Sequence, residues 1–217
     1  MSSVNSAAEP GATTAPRTGR VRLRRFAALA GPAVLAAGAL VVLTAQGVLA
    51  AQFSISGLPF TVTATNLTGY GFEQYGGLLN TAPGSPNLTQ DNGQMVVFVS
   101  AIRKAYLTDM CQSVSIGFTN LVIHAGTGGS PVSASDLVAD SDQLSGDVTF
   151  NNLTVDQDAS TLNEVPDLES ANQGLLGTFG QQADTVTIKN LRQENWATTA
   201  STFTLPGLSM SFSDNGC

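Results

Sequence analysis

Beyond residue 51, apolar and polar side chains alternate with a period of two. Phe53 and Ile55 alternate with serine, Phe60, Val62 and Ala64 with threonine, and Val186 and Ile188 with Thr185, Thr187 and Lys189; Leu208, Met210 and Phe212 repeat the pattern near the end. Successive side chains of a strand point to opposite faces, so this alternation predicts half-buried strands rather than helices. Glycine and proline clusters at Gly76-Gly77, Pro83-Gly84-Ser85-Pro86, Gly126 to Pro131 and Pro206-Gly207 supply the expected breaks between them. The fold expected is mainly β: a single domain of many short antiparallel strands, arranged as a sandwich or an elongated stack of similar strands.

Upstream the pattern is different. Arg20, Arg22, Arg24 and Arg25 run into an uncharged apolar segment over residues 26–43, interrupted at Gly31-Pro32 and Gly38, and no charged residue follows until Glu73. A basic start, an apolar stretch and the small-residue end Val48-Leu49-Ala50 are the parts of an export signal cleaved after Ala50. The same segment is just long enough to span a bilayer, which makes a retained anchor the second reading. Both readings leave the arginines on the cytoplasmic side and send the long C-terminal part across the membrane. The pair Arg24-Arg25 lacks the preceding Ser or Thr of a twin-arginine signal, which favours the general export route. Residues 1–19, rich in Ser, Ala, Thr, Pro and Gly without an apolar period, are expected to be a disordered cytoplasmic tail. The expected organisation is therefore 1–19 tail, 20–50 signal or anchor, and 51–217 extracellular β domain, with the protein exported or held at the outer face of the cytoplasmic membrane.

Charge sharpens this division. Residues 51–217 hold four basic residues, Arg103, Lys104, Lys189 and Arg192, against fifteen acids, so that part carries 4 − 15 = −11 while the whole chain carries −7. Such a surface repels phosphate backbones and anionic headgroups, which excludes nucleic acid as an expected partner and docking on lipid by charge. Cys111 and Cys217 are the only cysteines and both follow the export segment. In an oxidising compartment an even pair is expected to form an intramolecular disulfide, with an intermolecular bridge or free thiols as the alternatives.

Candidate chemistry is sparse. His124 is the only histidine and no Gly-x-Ser-x-Gly elbow occurs, so His124 is the one candidate base for a serine hydrolase and otherwise a structural residue at a strand end. Asp156 and Asp158 begin a string that matches the first liganding positions of a calcium loop, with Asp167 at the twelfth. Thr161 stands where that loop needs glycine, so solvated loop acids are the expected reading. Two cysteines and one histidine are too few for a closed zinc site, and no cofactor is expected. Gly174, Gly177 and Gly180 match no phosphate loop and read as a flexible connector. The string Val-Thr-x-x-Asn-Leu begins at residues 62, 148 and 186, with a looser copy at 116. Each copy is expected to end a strand at an Asn that tolerates a left-handed turn, followed by a Leu that returns to the core; the alternative is that these are simply common strand and turn residues.

Several strings carry a family likeness: the basic stretch into an Ala/Gly-rich segment, Leu-x-x-x-Cys-Gln-Ser at 107–113, Phe-Gly-Gln-Gln-Ala-Asp at 179–184, Trp-Ala-Thr-Thr-Ala at 196–200 and the cysteine at 217. In these the chain resembles a family of small exported actinobacterial proteins of no established function, whose members often carry the label "cholesterol esterase". The resemblance implies a neighbouring small multi-span membrane protein of the envelope as a partner, and it transfers no catalytic residues. The function expected is that of an exported, non-enzymatic envelope or extracellular protein with a structural or binding role, with self-association left open. Two alternatives stand beside it: a β domain that shelters a lipid, for which a cavity lined by Phe53, Phe60, Leu208 and Phe212 would speak, and a lipid-ester hydrolase built on His124.

Overall fold

The computed structural model describes residues 55–87, 94–166, 168 and 173–217, all within one unit spanning 47–217. The tail at 1–19, the signal or anchor at 20–50, the Ala50–Ala51 junction, Phe53 and Asp167 lie outside the described residues. Among the described residues no helix is long and apolar enough to cross a membrane.

The chain is mainly β. It forms β1 (Phe60–Asn80), β2 (Gln94–Thr108), β3 (Met110–Ser115), β4 (Asn120–Ala125), β5 (Val132–Asn151), β6 (Thr154–Asp158), β7 (Phe179–Thr199), β8 (Thr202–Thr204) and β9 (Ser209–Ser213), with one short 3-10 turn at Ala159–Thr161. All pairings between these strands are antiparallel. Two of the strands are continued by others in unchanged register. Along β1, Asn66 faces Thr108 of β2 and Thr63 faces Cys111 of β3, with a break only at Asp109, whose φ is 50°. Along β5, Val138 faces Thr199 of β7 and Ser133 faces Thr204 of β8.

The four long strands hydrogen-bond in a closed circuit: β1 to β2, β2 to β5, β5 to β7, and β7 back to β1. Leu67 shows how staggered that circuit is. On one side it faces Leu107, which faces Val132; on the other it faces Ile188, which faces Val148. The two routes meet β5 at residues 132 and 148, so the strands tilt steeply as they close.

Closure requires β1 to double back. Extended, its 21 residues would span roughly 70 Å. Yet Ile55 bridges Thr81 just past the far end of the strand and donates to Asn80 O at 3.0 Å, and only five residues of chain, about 17 Å at most, link Ile55 to the strand start at Phe60. The turn-back is at Gly71, which both ladders skip and whose φ is +67°. A Cβ there would stand 2.5 Å from Glu164 O and 2.9 Å from Arg103 Nε. Gly76-Gly77, expected as a break, instead lies inside β1, because the ladder to Phe98 and Val97 runs through it. The strands are longer than the alternating runs suggest because they bend without leaving their ladders.

Inside the circuit, Val62, Ala64, Leu67 and Phe72 of β1 pack with Ile102, Ala105 and Leu107 of β2, Val132, Ala134 and Leu137 of β5 and Ala183, Val186, Ile188 and Leu191 of β7. A second cluster lies on the opposite face, where Tyr75, Val97, Val99, Ala101 and Val138 are covered by Ala159, Val165 and Leu168. Gly174 belongs to this cover. Ala159 lies against it too closely to admit a side chain, so the glycine is a contact rather than the flexible connector expected of it.

Two buried acids sit under the same cover. Glu73 accepts a 2.8 Å hydrogen bond from Val165 N, and burial still holds its carboxyl above the usual range. Asp140, in a row with Tyr75 and Val99, is pushed up to about 6 by burial alone. A carboxyl that binds its proton more tightly when folded favours the folded state at low pH. Its penalty therefore grows as pH rises from the unfolded value near 3.8 to about 6 and is complete above that. Asp140→Asn is expected to raise stability at pH 7 by up to about 3 kcal/mol and to reduce the fall in stability between pH 4 and pH 6. Urea unfolding across that range checks it, and an unchanged slope contradicts it.

The Val-Thr-x-x-Asn-Leu strings are not equivalent. Asn190 has φ 52° and Leu191 is buried, but the Asn lies inside β7 instead of ending a strand. Asn152 has φ 53° but Leu153 is exposed, while Leu67 is buried after an Asn66 without positive φ. In the copy at 116, Asn120 opens β4 without positive φ and Leu121 is half-buried. Only the copy at 186 combines a left-handed Asn with a buried Leu, and there the strand continues.

Candidate binding cleft

Beyond the apolar cluster, the inward positions of the same strands turn polar. Gln74 faces Ser100 across β1–β2 and Gln181 across β1–β7, while Phe98 faces Ser141 and Ser141 faces Asn195. These side chains satisfy one another. Gln74 Nε2 donates to Ser100 Oγ at 2.9 Å and Gln181 Nε2 donates to Gln74 Oε1 at 2.6 Å. Ser141 Oγ donates to Asn195 Oδ1 at 2.6 Å, and Gln193 Nε2 donates to Ser141 Oγ at 3.2 Å. Ser141, Gln193 and Asn195 are all buried. Interior amides paired this way keep fixed rotamers, because a buried polar group left unpaired is costly.

Beside this ladder opens a cleft of about 630 Å³, lined by Thr61 and Gln74 of β1, Phe98 of β2, Asp142 to Ser145 of β5 and Arg192 to Glu194 of β7. Thr61 and Gln74 are thirteen residues apart on one strand and share the cleft because β1 bends back at Gly71. On the opposite wall the β5–β7 register shifts between Asp140 and Ser141, again between Ser141 and Gln143, and once more between Ser145 and Asp147. Bulges re-aim side chains, and here they turn Asp142 and Gln143 toward the opening. Gly146, with φ +153°, lets the wall close on β7; a Cβ there would lie 2.7 Å from Ile188 Cγ2. Arg192 Nη1 donates to the Cys217 main-chain oxygen at 2.9 Å, so the cleft rim is tied to the last described residue.

The sequence candidates lie elsewhere. His124 is exposed on β4 and does not line the cleft. Its Nε2 stands 4.0 Å from Cys111 Sγ, and among the described residues no serine hydroxyl hydrogen-bonds it. Cys111 and Cys217 are joined as a disulfide with Cα atoms 6.0 Å apart. Asp158 caps the 3-10 turn: Oδ1 accepts from Ser160 Oγ at 2.7 Å and Ser160 N at 3.0 Å, and Oδ2 accepts from Gly177 N at 2.8 Å. Those bonds, the Ser160 hydroxyl first, hold its carboxyl below the usual range. Asp156 is exposed with φ 66° in β6, and it gathers no further acids: the described residues contain no group of three or more His, Cys, Asp or Glu placed to hold a metal. Leu208 and Phe212 are exposed on and beside the β9 edge rather than lining a closed cavity with Phe60.

The cleft has one signal in the sequence: in β7, Gln193 of the cleft and the buried Asn195 behind it occupy inward positions where the alternation calls for apolar side chains. Residues 56–217 match the family model of DUF6230, a family of unknown function. No curated protein and no solved structure matches the chain.

Proposed function

The chain belongs to DUF6230, and we propose that it is an exported, non-enzymatic binding protein whose polar cleft holds a small, uncharged, hydroxyl-rich ligand of the saccharide class. The observation that carries this reading is the exposed Gln143 carboxamide with the Thr61 and Ser145 hydroxyls, in a wall that also holds Asp142, Arg192 and Glu194, backed by Gln74 and Gln193 of the interior ladder and set beside Phe98. A carboxamide offers donor and acceptor side by side and matches a pair of neighbouring hydroxyls, while an aromatic face covers the apolar C–H side of a sugar ring. The volume falls in the range of small-molecule sites. An excess of eleven negative charges on residues 51–217 favours a neutral ligand over an anionic one.

Export rests on the arginine-flanked apolar segment, and the Cys111–Cys217 bond is compatible with it. The non-enzymatic reading rests on the separation of His124 from the cleft and from any described serine partner. The polar lining supports a sugar over a sterol or acyl chain.

Calorimetric titration with neutral envelope oligosaccharides tests the proposal. Saturable binding is expected, weakened about three- to tenfold by Gln143→Ala, an exposed position whose replacement leaves the circular dichroism spectrum unchanged. Binding of fatty acids or sterols with no response to any saccharide would replace this reading with the lipid-sheltering one. Ester turnover abolished by His124→Ala would replace it with the hydrolase.

A further inference from the structure

Strand β9 ends the sheet. It pairs with β4 along one edge, and no described strand takes the other. Its sequence, Ser209-Met210-Ser211-Phe212-Ser213, contains no charge, proline or glycine, the devices by which exposed edges usually avoid further pairing. Leu208, Met210 and Phe212 are 50%, 56% and 68% exposed. They extend rows that begin inside the circuit: Phe60 faces Val114, Val114 faces Leu121, and Leu121 faces Phe212.

The wing made by β3, β4 and β9 is also uncharged. Residues 110–135 and 195–213 contain no Asp, Glu, Lys or Arg, in a domain that holds fifteen acids and four bases. Two such domains repel over most of their surfaces and approach at least cost where neither carries charge.

We infer that β9 pairs antiparallel with β9 of a second copy of this chain, about a two-fold axis through Ser211. In that register Met210 of each copy faces Phe212 of the other, Ser209 faces Ser213, and Ser211 faces its own equivalent. Both apolar side chains of β9 then meet an apolar one on the same face, while Leu208, outside the strand, falls opposite Asp214 at the rim; a thioether against an aromatic ring is a favourable pair. The self-complementarity is what selects a second copy over an unrelated strand. Met210, Phe212 and the backbone edge together offer roughly 400 Å² per copy, about 800 Å² in the pair, the size of a weak, concentration-dependent interface. This pairing is independent of the cleft and of its ligand.

Sedimentation equilibrium of the purified full chain, in the same detergent throughout if the apolar segment is retained, is expected to show a dimer. Met210→Lys and Phe212→Glu each convert it to monomer, because each places two charges against apolar partners. An equimolar mixture of the two variants restores a dimer, since Lys then faces Glu at one contact while native Phe212 faces native Met210 at the other. Should either variant lose its folded circular dichroism spectrum, Ser211→Cys gives the alternative reading: mild oxidation is expected to link two copies through position 211. A wild type that stays monomeric at 100 μM overturns the inference, as does a dimer insensitive to both variants. Monomeric wild type that binds neutral phosphatidylcholine vesicles through Phe212 also overturns it, in favour of a lipid surface.

Discussion

Replacing Cys111 and Cys217 together by serine is expected to lower the unfolding free energy by about 4–5 kcal/mol, the largest loss among the substitutions considered. The bond spans 106 residues, and closing so long a loop removes that much chain entropy from the unfolded state. Native contacts are little disturbed by the change. Cys217 N still donates to Ser113 Oγ at 2.9 Å and Arg192 Nη1 to the Cys217 oxygen, so the end of the chain keeps its seat on β3 and on the cleft rim. For a domain of this size the loss corresponds to a fall of roughly 2 M in the urea midpoint. A fall below about 0.5 M would mean that the unfolded chain is already restricted and that the sheet alone sets the stability.

Gly71→Ala is expected to cost about 3 kcal/mol, from two sources that add. The left-handed backbone at φ +67° disfavours any side chain, and the new Cβ must displace either Glu164 O at 2.5 Å or the Arg103 side chain. The glycine five residues on supplies an internal control. Gly76 has no positive φ, and nothing lies within 4 Å of its Cβ position, so Gly76→Ala is expected to be neutral or stabilising by a few tenths of a kcal/mol. Urea unfolding of both variants separates a conformational requirement at 71 from a general penalty on strand alanines. Equal midpoints for the two would remove Gly71 as the hinge of β1.

These two glycines show what could be read from the chain and what could not. The alternation around Phe60, Val62 and Ala64 and around Val186 and Ile188 is a local property of strands, and both runs lie in β1 and β7 with their apolar members buried or half-buried. Gly71 and Gly76 are indistinguishable as letters, because the difference lies in the backbone dihedral and in what approaches from residues 103 and 164. For the same reason the cleft was hidden: Thr61 and Gln74 share it only through the bend. The pairing of Cys111 with Cys217 was legible from count and position alone. His124 was conspicuous as the single histidine, yet rarity is a property of composition, and its place on β4 beside a disulfide sulfur follows from the sheet.

The closed circuit also sets how the domain must assemble. β1 pairs with β2 within one long hairpin, but its other edge, from Phe60 to Tyr75, waits for β7, which begins at Phe179. Until that strand arrives, the first hairpin presents an unpaired row of backbone donors and acceptors to its surroundings. Contacts this distant along the chain form late, which places folding in the range of milliseconds to seconds, and the waiting edge is where a nascent chain would pair wrongly with another. A copy truncated before β7 is therefore a template for aggregation rather than a smaller version of the fold.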